Sequence, residues 1–133
     1  MATGQETDTA ARIRRSYAAF NARDIDSALA AMHPDVDWPD AIDGGRLRGR
    51  DAVRRYWMRQ FEVMDPRVEP YAIRVVGQGR VLVDVHQVVR DLKGQLVADE
   101  HVEHAYAIRD GLIMRMDIRQ PSASDGSRSD GSA

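Results

Sequence analysis

Four aspartates and a tryptophan lie close together in the stretch MHPDVDWPDAIDGGRLRGR, which runs from Met32 to Arg50. The aspartates are Asp35, Asp37, Asp40 and Asp43, and Trp38 lies among them. A tryptophan in a loop needs an apolar surface to cover it, and a carboxyl group beside that surface is partly desolvated, as a general base often is. The stretch therefore predicts one of two structures. Asp40 is either a base at the rim of an apolar pocket lined by Trp38 and Trp57, or the cap of a solvated turn.

His104 is the second candidate for chemistry, and it lies in a stretch with the alternation of a β-strand. Its face of that strand also carries Val102, Tyr106 and Ile108. Because this face is the more apolar one, we expect it to point into the core. A histidine there is either a hydrogen-bonded core residue or a donor in a pocket. As a donor, His104 would stabilise the oxyanion that forms when Asp40 takes a proton from a substrate.

Asp84 and His86 share one face of the preceding predicted strand, and their orientation is open. The opposite face carries Val81, Val83, Val85 and Val89, with Gln87. Periodicity alone turns the valines toward the core and leaves the two polar groups outside. If they faced inward instead, they would form a polar patch with His104 in which an aspartate orients an imidazole. The three residues lack the spacing of a known metal motif, so no metal site is predicted.

The last predicted strand separates apolar from charged side chains. Met114, Met116 and Ile118 alternate with Arg115, Asp117 and Arg119. The methionine face is typical of a cavity lining, because methionine is apolar and adaptable. The charged face is expected to be a solvated or dimer-facing outer surface; a catalytic arginine–aspartate pair is the weaker alternative. The predicted lining of the pocket is Tyr17, Trp38, Trp57, Asp84, His86, Val102, Tyr106, Met114 and Met116.

The composition restricts the partners and the chemistry. The 133 residues suffice for one domain with a single core, and the net charge of −2 offers no basic field for a nucleic acid or an anionic membrane. The chain has no cysteine, which excludes thiol nucleophiles, and Lys93 is its only lysine, which disfavours Schiff-base chemistry. No apolar run has the length of a membrane span and the N-terminus lacks a leader pattern, so we expect a cytoplasmic protein. The preference for arginine over lysine is typical of GC-rich bacterial genomes.

Periodicity and turn signals predict the elements that position these groups. Helices are expected at residues 9–22, 26–32 and 51–64, and strands at 36–38, 46–48, 68–76, 80–90, 96–109 and 112–119. This order predicts an α+β fold in which the helices cover one face of a curved, mostly antiparallel sheet and leave an apolar cavity between the layers. Residues 1–8 and the polar segment 121–133 are predicted to be disordered, and 9–120 to form the domain. A homodimer through the outer sheet face is expected, because valine-rich edges and faces need covering.

Five short motifs in this order resemble the SnoaL-like branch of the NTF2-like superfamily. They are Tyr17-Ala-Ala-Phe20, Arg23-Asp24-Ile25-Asp26, Met32-His33-Pro34-Asp35 with Trp38, the segment Leu47 to Val53, and the segment Ile108 to Ile113. The resemblance covers residues 9–120 and implies a cone-shaped α+β fold with an internal pocket, into which His86 would point. It implies little about activity, since the superfamily includes isomerases, cyclases, dehydratases, epoxide hydrolases and non-catalytic binding domains.

Ketosteroid isomerase is the member of this superfamily whose chemistry lies closest to these residues. The resemblance implies that Asp40 is at the position of its general base and His104 at that of its oxyanion-hole aspartate. Its oxyanion-hole tyrosine corresponds to Ser16, with Tyr17 next in the chain, and a supporting tyrosine corresponds to Trp57. Compared with ketosteroid isomerase, this chain keeps the carboxylate of the general base at Asp40 and has the imidazole of His104 in place of the oxyanion-hole aspartate. It lacks the oxyanion-hole tyrosine, whose position is occupied by Ser16. The resemblance therefore implies acid–base work of another kind than steroid isomerisation.

Two hypotheses from different classes follow. In the first, the chain is a cofactor-independent enzyme of the isomerase, cyclase or dehydratase type, in which Asp40 moves a proton of a small, largely apolar substrate and His104, with His86 or Tyr17, stabilises the oxyanion. In the second, the pocket holds an apolar ligand without turnover, or is an incompletely filled core in a dimer. A weaker third hypothesis is an accessory subunit that covers a partner with its outer sheet face. Converging titratable groups in the pocket favour an enzyme, and an exposed Asp40 over a wholly apolar cavity favours binding.

Overall fold

The computed structural model of the protein describes residues 2–121, with side chains from residue 8 onward. The helices are α1 (Ala2–Asn21), α2 (Ile25–Leu29) and α3 (Arg50–Val63). The strands are β1 (Met32–Pro39), β2 (Arg46–Arg48), β3 (Met64–Gly77), β4 (Arg80–Asp91), β5 (Leu96–Arg109) and β6 (Leu112–Arg119). Helix α1 thus begins well before residue 9. The predicted disorder at 122–133 lies outside the described residues, as do the side chains of 1–7, so the domain limits stay predictions.

The six strands of this α+β fold form one curved, unclosed mixed sheet in the order β2-β1-β6-β5-β4-β3. Neighbouring strands are antiparallel except β1 and β6, which are parallel. Tight turns join the long strands. Asp110 and Gly111 have φ angles of 55° and 78°, and a two-residue turn with two positive φ angles matches the twist of the strands that it joins. The Asp110–Gly111 pair therefore forms the two-residue hairpin turn between β5 and β6.

The valine face of β4 points to the core. Val81, Val83 and Val85 are at most 1% exposed. They belong to one buried cluster with Ile13 and Tyr17 of α1, Val53 and Trp57 of α3, and Tyr106 of β5. Strand alternation then turns Asp84 and His86 to the outer face, so the inward His86 implied by the resemblance is wrong. A register with His86 inside would bury an imidazole and expose three valines.

This orientation removes part of the reason given for a homodimer. The valines of β4 that needed a cover face the core, and the outer face of the same strand carries Asp84 and His86. Val76 of β3 and Val97 of β5 are exposed, and the homodimer stays a prediction.

The second helix is shorter and the first strand longer than predicted. Helix α2 ends before Met32, where β1 begins. Asp24 caps α2, because its carboxylate accepts the Ser27 N–H at 3.3 Å. Pro34 is tolerated inside β1, since the pairing of β1 with β6 is irregular between Met32 and Asp37.

Strand β3 follows α3 directly and contains two prolines, Pro66 and Pro70. It is an edge strand of the sheet, and its register with β4 shifts between Pro70 and Ala72. Pro70 therefore lies at a sheet edge and at a bulge, the two positions at which a strand accommodates proline. Pro66 was expected to lie before the strand, but an edge strand leaves part of its N–H groups unpaired and therefore accommodates proline.

Gly79 closes the turn between β3 and β4 against the end of β5. Its φ is +68°, and a Cβ added there would lie 2.8 Å from the carbonyl oxygen of Ile108, whose N–H donates to the Gly79 carbonyl at 2.7 Å. We expect Gly79→Ala to lower the free energy of unfolding by about 1–3 kcal/mol, because it combines a strained φ with a backbone clash. Urea unfolding measures this loss. The matched control is Gly94→Ala, which has a φ of +88° and no atom within 4 Å of the added Cβ; equal losses in the two variants would contradict the clash.

Candidate functional site

A partly open cavity of about 100 Å³ lies between helices α1 and α3 and the concave face of the sheet. Its lining is Ser16, Tyr17, Phe20, Trp38, Pro39, Ala41, Tyr56, Trp57, Gln60, Pro66, Val68, Gln87, His104, Tyr106, Met116 and Ile118. Most of these side chains are apolar or aromatic. A closed apolar cavity of about 150 Å³ accommodates one benzene molecule, so this space suits a single small ring that extends toward the open side.

Tyr17, His104 and Tyr106 form a buried chain of hydrogen bonds in this cavity. The Tyr106 hydroxyl donates to the Tyr17 hydroxyl at 2.7 Å, and the Tyr17 hydroxyl lies 2.7 Å from Nδ1 of His104. The His104 and Tyr17 rings are stacked at 11°, and each of the three residues is 5% exposed. Strand β5 presents His104 and Tyr106 on one face because they are two residues apart, and α1 lays Tyr17 across that face.

Burial keeps all three groups of this chain neutral near pH 7. Burial lowers the pKa of His104 to about 4, because the charged imidazolium loses its hydration. Burial is also the main cause that raises the pKa of Tyr17 and the pKa of Tyr106. The site is therefore a neutral hydrogen-bonding pole, and His104 carries a single ring proton.

Aromatic side chains form another part of the cavity wall. Trp57 of α3 meets Trp38 edge to face with ring centroids 5.8 Å apart and Phe20 of α1 at 5.1 Å. Tyr56 adds its hydroxyl at the rim, where it accepts the Ala41 N–H at 3.2 Å. Edge-to-face aromatic pairs of this kind are stabilising beyond their buried area. They form a wall that suits the edge or face of an apolar ring.

Asp40 lies in the turn after β1 and caps it. Its Oδ1 accepts the N–H groups of Ile42 and Asp43 at 3.0 and 2.8 Å, and its side chain is absent from the cavity lining. The sequence predicted two alternative structures for Asp40, and the structure shows the second of them, the cap of a solvated turn. The carboxylate is nevertheless close to the rim: burial raises the pKa of Tyr56, and the negative charge of Asp40 adds to that rise.

The remaining predicted residues lie away from the cavity. Asp84 is on the outer face beside Arg74, at 3.4 Å, and His86 is there with Asp99, at 2.7 Å. Val102 is half-buried against the core and Met114 is half-buried, but neither lines the cavity. The register of β5 with β6 shifts after Ala107 and interrupts the methionine row at Met114, so Met116 and Ile118 line the cavity and Met114 does not.

The charged row of β6 forms ion pairs on the outer face. Arg115 contacts Asp37 at 2.8 Å and Asp117 at 3.0 Å, and Arg46 bridges the same two aspartates at 2.7 and 2.9 Å. The hydrogen bond from Arg115 is the main cause that lowers the pKa of Asp117. The arginine–aspartate pair is therefore on the side of the sheet opposite the cavity, where it cannot act on a bound ligand.

Sequence reasoning missed several lining residues, and two of them had a signal. Gln87 interrupts the valine face of β4, and a polar side chain in an inward row indicates a cavity or a polar partner. Gln60 follows Tyr56 and Trp57 by one helical turn and so shares their face. Phe20 and Pro66 carried no signal that separates a cavity wall from ordinary core.

Within residues 8–121, no three histidine, aspartate or glutamate side chains are grouped so that they could hold a metal ion. None of the described helices has the length and apolar character needed to cross a membrane.

The sequence matches the model of the SnoaL-like domain family over residues 13–116. The chain belongs to this family. None of the curated proteins compared with it matches. The predicted resemblance is thereby confirmed, and the cavity described above is that of a SnoaL-like domain.

Solved structures share the fold of this SnoaL-like domain. An NTF2-like protein of unknown function from Burkholderia pseudomallei is 25% identical, with a TM-score of 0.75 over 90% of this chain and 95% of that one. TerC, co-crystallised with polyporic acid, is 28% identical, with a TM-score of 0.74 over 90% and 96%. An LEH-like epoxide hydrolase of M. tuberculosis is 20% identical, with a TM-score of 0.71 over 84% and 81%; that likeness concerns the fold alone.

Proposed function

We propose that this SnoaL-like domain binds a small, largely apolar ring compound with one ligand oxygen at His104, and that it catalyses a cofactor-independent proton transfer of the isomerase, cyclase or dehydratase type. The observation that carries the proposal is the buried chain from Tyr106 through Tyr17 to His104, in a cavity whose other walls are mostly apolar or aromatic. A histidine that only satisfied the core would need no open space beside its ring.

The chain of three groups suits the stabilisation of negative charge on an oxygen. A neutral imidazole can donate a hydrogen bond to a carbonyl and act as an electrophile without protonating it fully. As charge grows on the ligand oxygen, the imidazole becomes a stronger acceptor at Nδ1 and its bond with Tyr17 strengthens. The hydrogen bond between Tyr106 and Tyr17 strengthens in the same way, so three side chains share in stabilising the charge.

A proton transfer also needs a base, and Asp40 is the carboxylate that best fits the role. It is adjacent to Ala41, which lines the cavity, and its charge acts on Tyr56 at the rim. Its two bonds to turn amides hold it away from the lining, so it would take a proton after the turn opens or through a water molecule. TerC supports a small-molecule ligand for this fold, since that protein was co-crystallised with polyporic acid.

Ligand binding without turnover is the second candidate function. It is favoured by the position of Asp40, whose Oδ1 is engaged by two backbone N–H groups. With the base so held, the cavity would bind the same class of ring compound, and the neutral pole would orient it without promoting a reaction. Both functions therefore require that the ligand binds, but only the catalytic one exchanges a ligand proton with the solvent.

We expect the domain to promote exchange of the acidic carbon-bound protons of cyclohex-2-enone in deuterium oxide, and Asp40→Asn to reduce this exchange by about 100-fold, because a general base contributes on the order of 10²–10⁴. Proton NMR measures the exchange, and tryptophan fluorescence measures the affinity, which should stay the same. Asp43→Asn is the matched control in the same turn. Binding without exchange in the wild type would leave the binding function; absence of binding would contradict both.

A further inference from the structure

We propose that Tyr106 and Tyr17 fix the proton of His104 on Nε2, so that the cavity selects ligands that present a hydrogen-bond-accepting oxygen, such as a ketone or an enolate. The inference rests on the proposed ligand-binding function and names the ligand class of that same site. Tyr17 and Tyr106 act as positioning residues, because they determine which way His104 donates.

The direction of the chain follows from counting protons. A tyrosine hydroxyl has one proton to donate. If Tyr106 donates its proton to the Tyr17 oxygen across their 2.7 Å contact, the proton of Tyr17 is left for Nδ1 of His104, 2.7 Å away. A neutral imidazole whose Nδ1 accepts carries its proton on Nε2.

The opposite tautomer leaves more buried groups unpaired. If Nδ1 carried the proton and donated to Tyr17, the Tyr17 proton could pair only with the Tyr106 oxygen. The Tyr106 proton would then have no acceptor among the described residues, and Nε2 would be an unpaired acceptor as well. The proposed direction leaves one unpaired group, the Nε2–H. Because each unpaired polar group in a buried site is costly, the Nε2–H tautomer is the stable one. The depressed pKa of His104 agrees with a ring that holds a single proton.

The unpaired Nε2–H explains which ligands the cavity accepts. No described residue accepts a hydrogen bond from it, and the ring of His104 lines the cavity. Ser16, another polar lining residue, already donates to the Ala28 carbonyl at 3.2 Å. Gln60 and Gln87 carry amides that donate and accept, so they do not discriminate. A ligand oxygen that accepts from Nε2–H therefore pairs a buried donor, whereas an apolar ligand leaves it unpaired.

Histidine tautomers are read directly from long-range ¹H–¹⁵N correlation spectra of the imidazole rings. We expect the wild type at pH 7 to show His104 protonated on Nε2 alone, and Tyr17→Phe to show a mixture of tautomers because Nδ1 has lost its donor. Tyr106→Phe should give a smaller shift in the same direction. The matched control is Tyr71→Phe, since its hydroxyl contacts His101 on the outer face, at 3.2 Å, and the His104 signals should not change.

Two probes of equal ring size test the selection. Cyclohex-2-enone offers an acceptor oxygen and cyclohexene offers none. We expect the wild type to bind the enone about tenfold more tightly, the ratio that corresponds to satisfying one buried donor. In Tyr17→Phe and Tyr106→Phe this ratio should fall while the affinity for cyclohexene is retained, a pattern that a merely loosened cavity would not produce.

The outcomes separate the inference from the proposed function. Equal affinities for the two probes, or a wild-type His104 protonated on Nδ1, would overturn the inference and leave the ligand-binding cavity standing. Failure of both probes to bind at any accessible concentration would overturn the proposed function together with the selection. The inference is supported if wild-type His104 is protonated on Nε2 and the wild type prefers the enone, and if the two tyrosine variants lose this preference.

Discussion

The titration of His104 alone should lower the free energy of unfolding by about 3 kcal/mol as the pH drops from 7 to below 4. Its pKa is about 4 in the folded protein against 6.5 for an unperturbed imidazole, and each pKa unit corresponds to 1.36 kcal/mol. Above pH 6.5 the group is neutral in both states. Between pH 6.5 and 4 only the unfolded chain binds the proton, so stability is lost as the pH falls through this window.

Urea unfolding at intervals between pH 7 and 4 measures this effect. His104→Phe removes the titrating group but keeps an aromatic ring in the core, so its stability should depend less on pH across the same window. Carboxylates with lowered pKa, such as that of Asp117, also weaken the protein in acid, and the difference between the two proteins cancels their contribution. Parallel curves for wild type and His104→Phe would contradict a desolvated His104.

The strands and hairpins could be predicted because their signals are local. Alternation over β4 separates valines from Asp84 and His86, and the structure follows that alternation where the family resemblance did not. The Asp110–Gly111 pair predicts its turn because few other residues adopt two positive φ angles. Element limits were less certain where prolines intervene, since Pro66 and Pro70 are tolerated only because β3 lies at the sheet edge, which is a property of the whole sheet.

The candidate site was predicted less well, because its chemistry depends on contacts between distant parts of the chain. The hydrogen bond between Tyr106 and Tyr17 joins residues 89 positions apart, and no spacing rule predicts such a contact. Asp40 was interpreted as a base or a cap, and the structure favours the cap because local side-chain bonds to turn amides compete with any distant partner. His104 was placed correctly, since the face that it shares with Tyr106 is the buried one.

Replacement of Trp57 by alanine should produce the largest loss of stability among single changes in the cavity wall. The indole is 4% exposed and packs edge to face against both Trp38 and Phe20. We expect Trp57→Ala to lower the free energy of unfolding by about 3–5 kcal/mol, from lost burial and from the space left behind. Met58, the next residue of α3, is 50% exposed, so Met58→Ala controls for the helix and should change stability by less than about 0.5 kcal/mol.

The same change should alter which ligands fit. The cavity of about 100 Å³ would gain the space of an indole beside the His104 pole, so a two-ring ketone such as 1-tetralone should bind the variant more tightly than the wild type, while cyclohex-2-enone loses contacts and binds more weakly. Isothermal titration with both ketones measures the reversal. Since small domains have only about 5–15 kcal/mol of stability, Trp57→Leu provides a milder variant with a smaller reversal in the same direction. If neither variant changed the order of the two ketones, Trp57 would be core packing only, and the ligand would have to bind elsewhere along the lining.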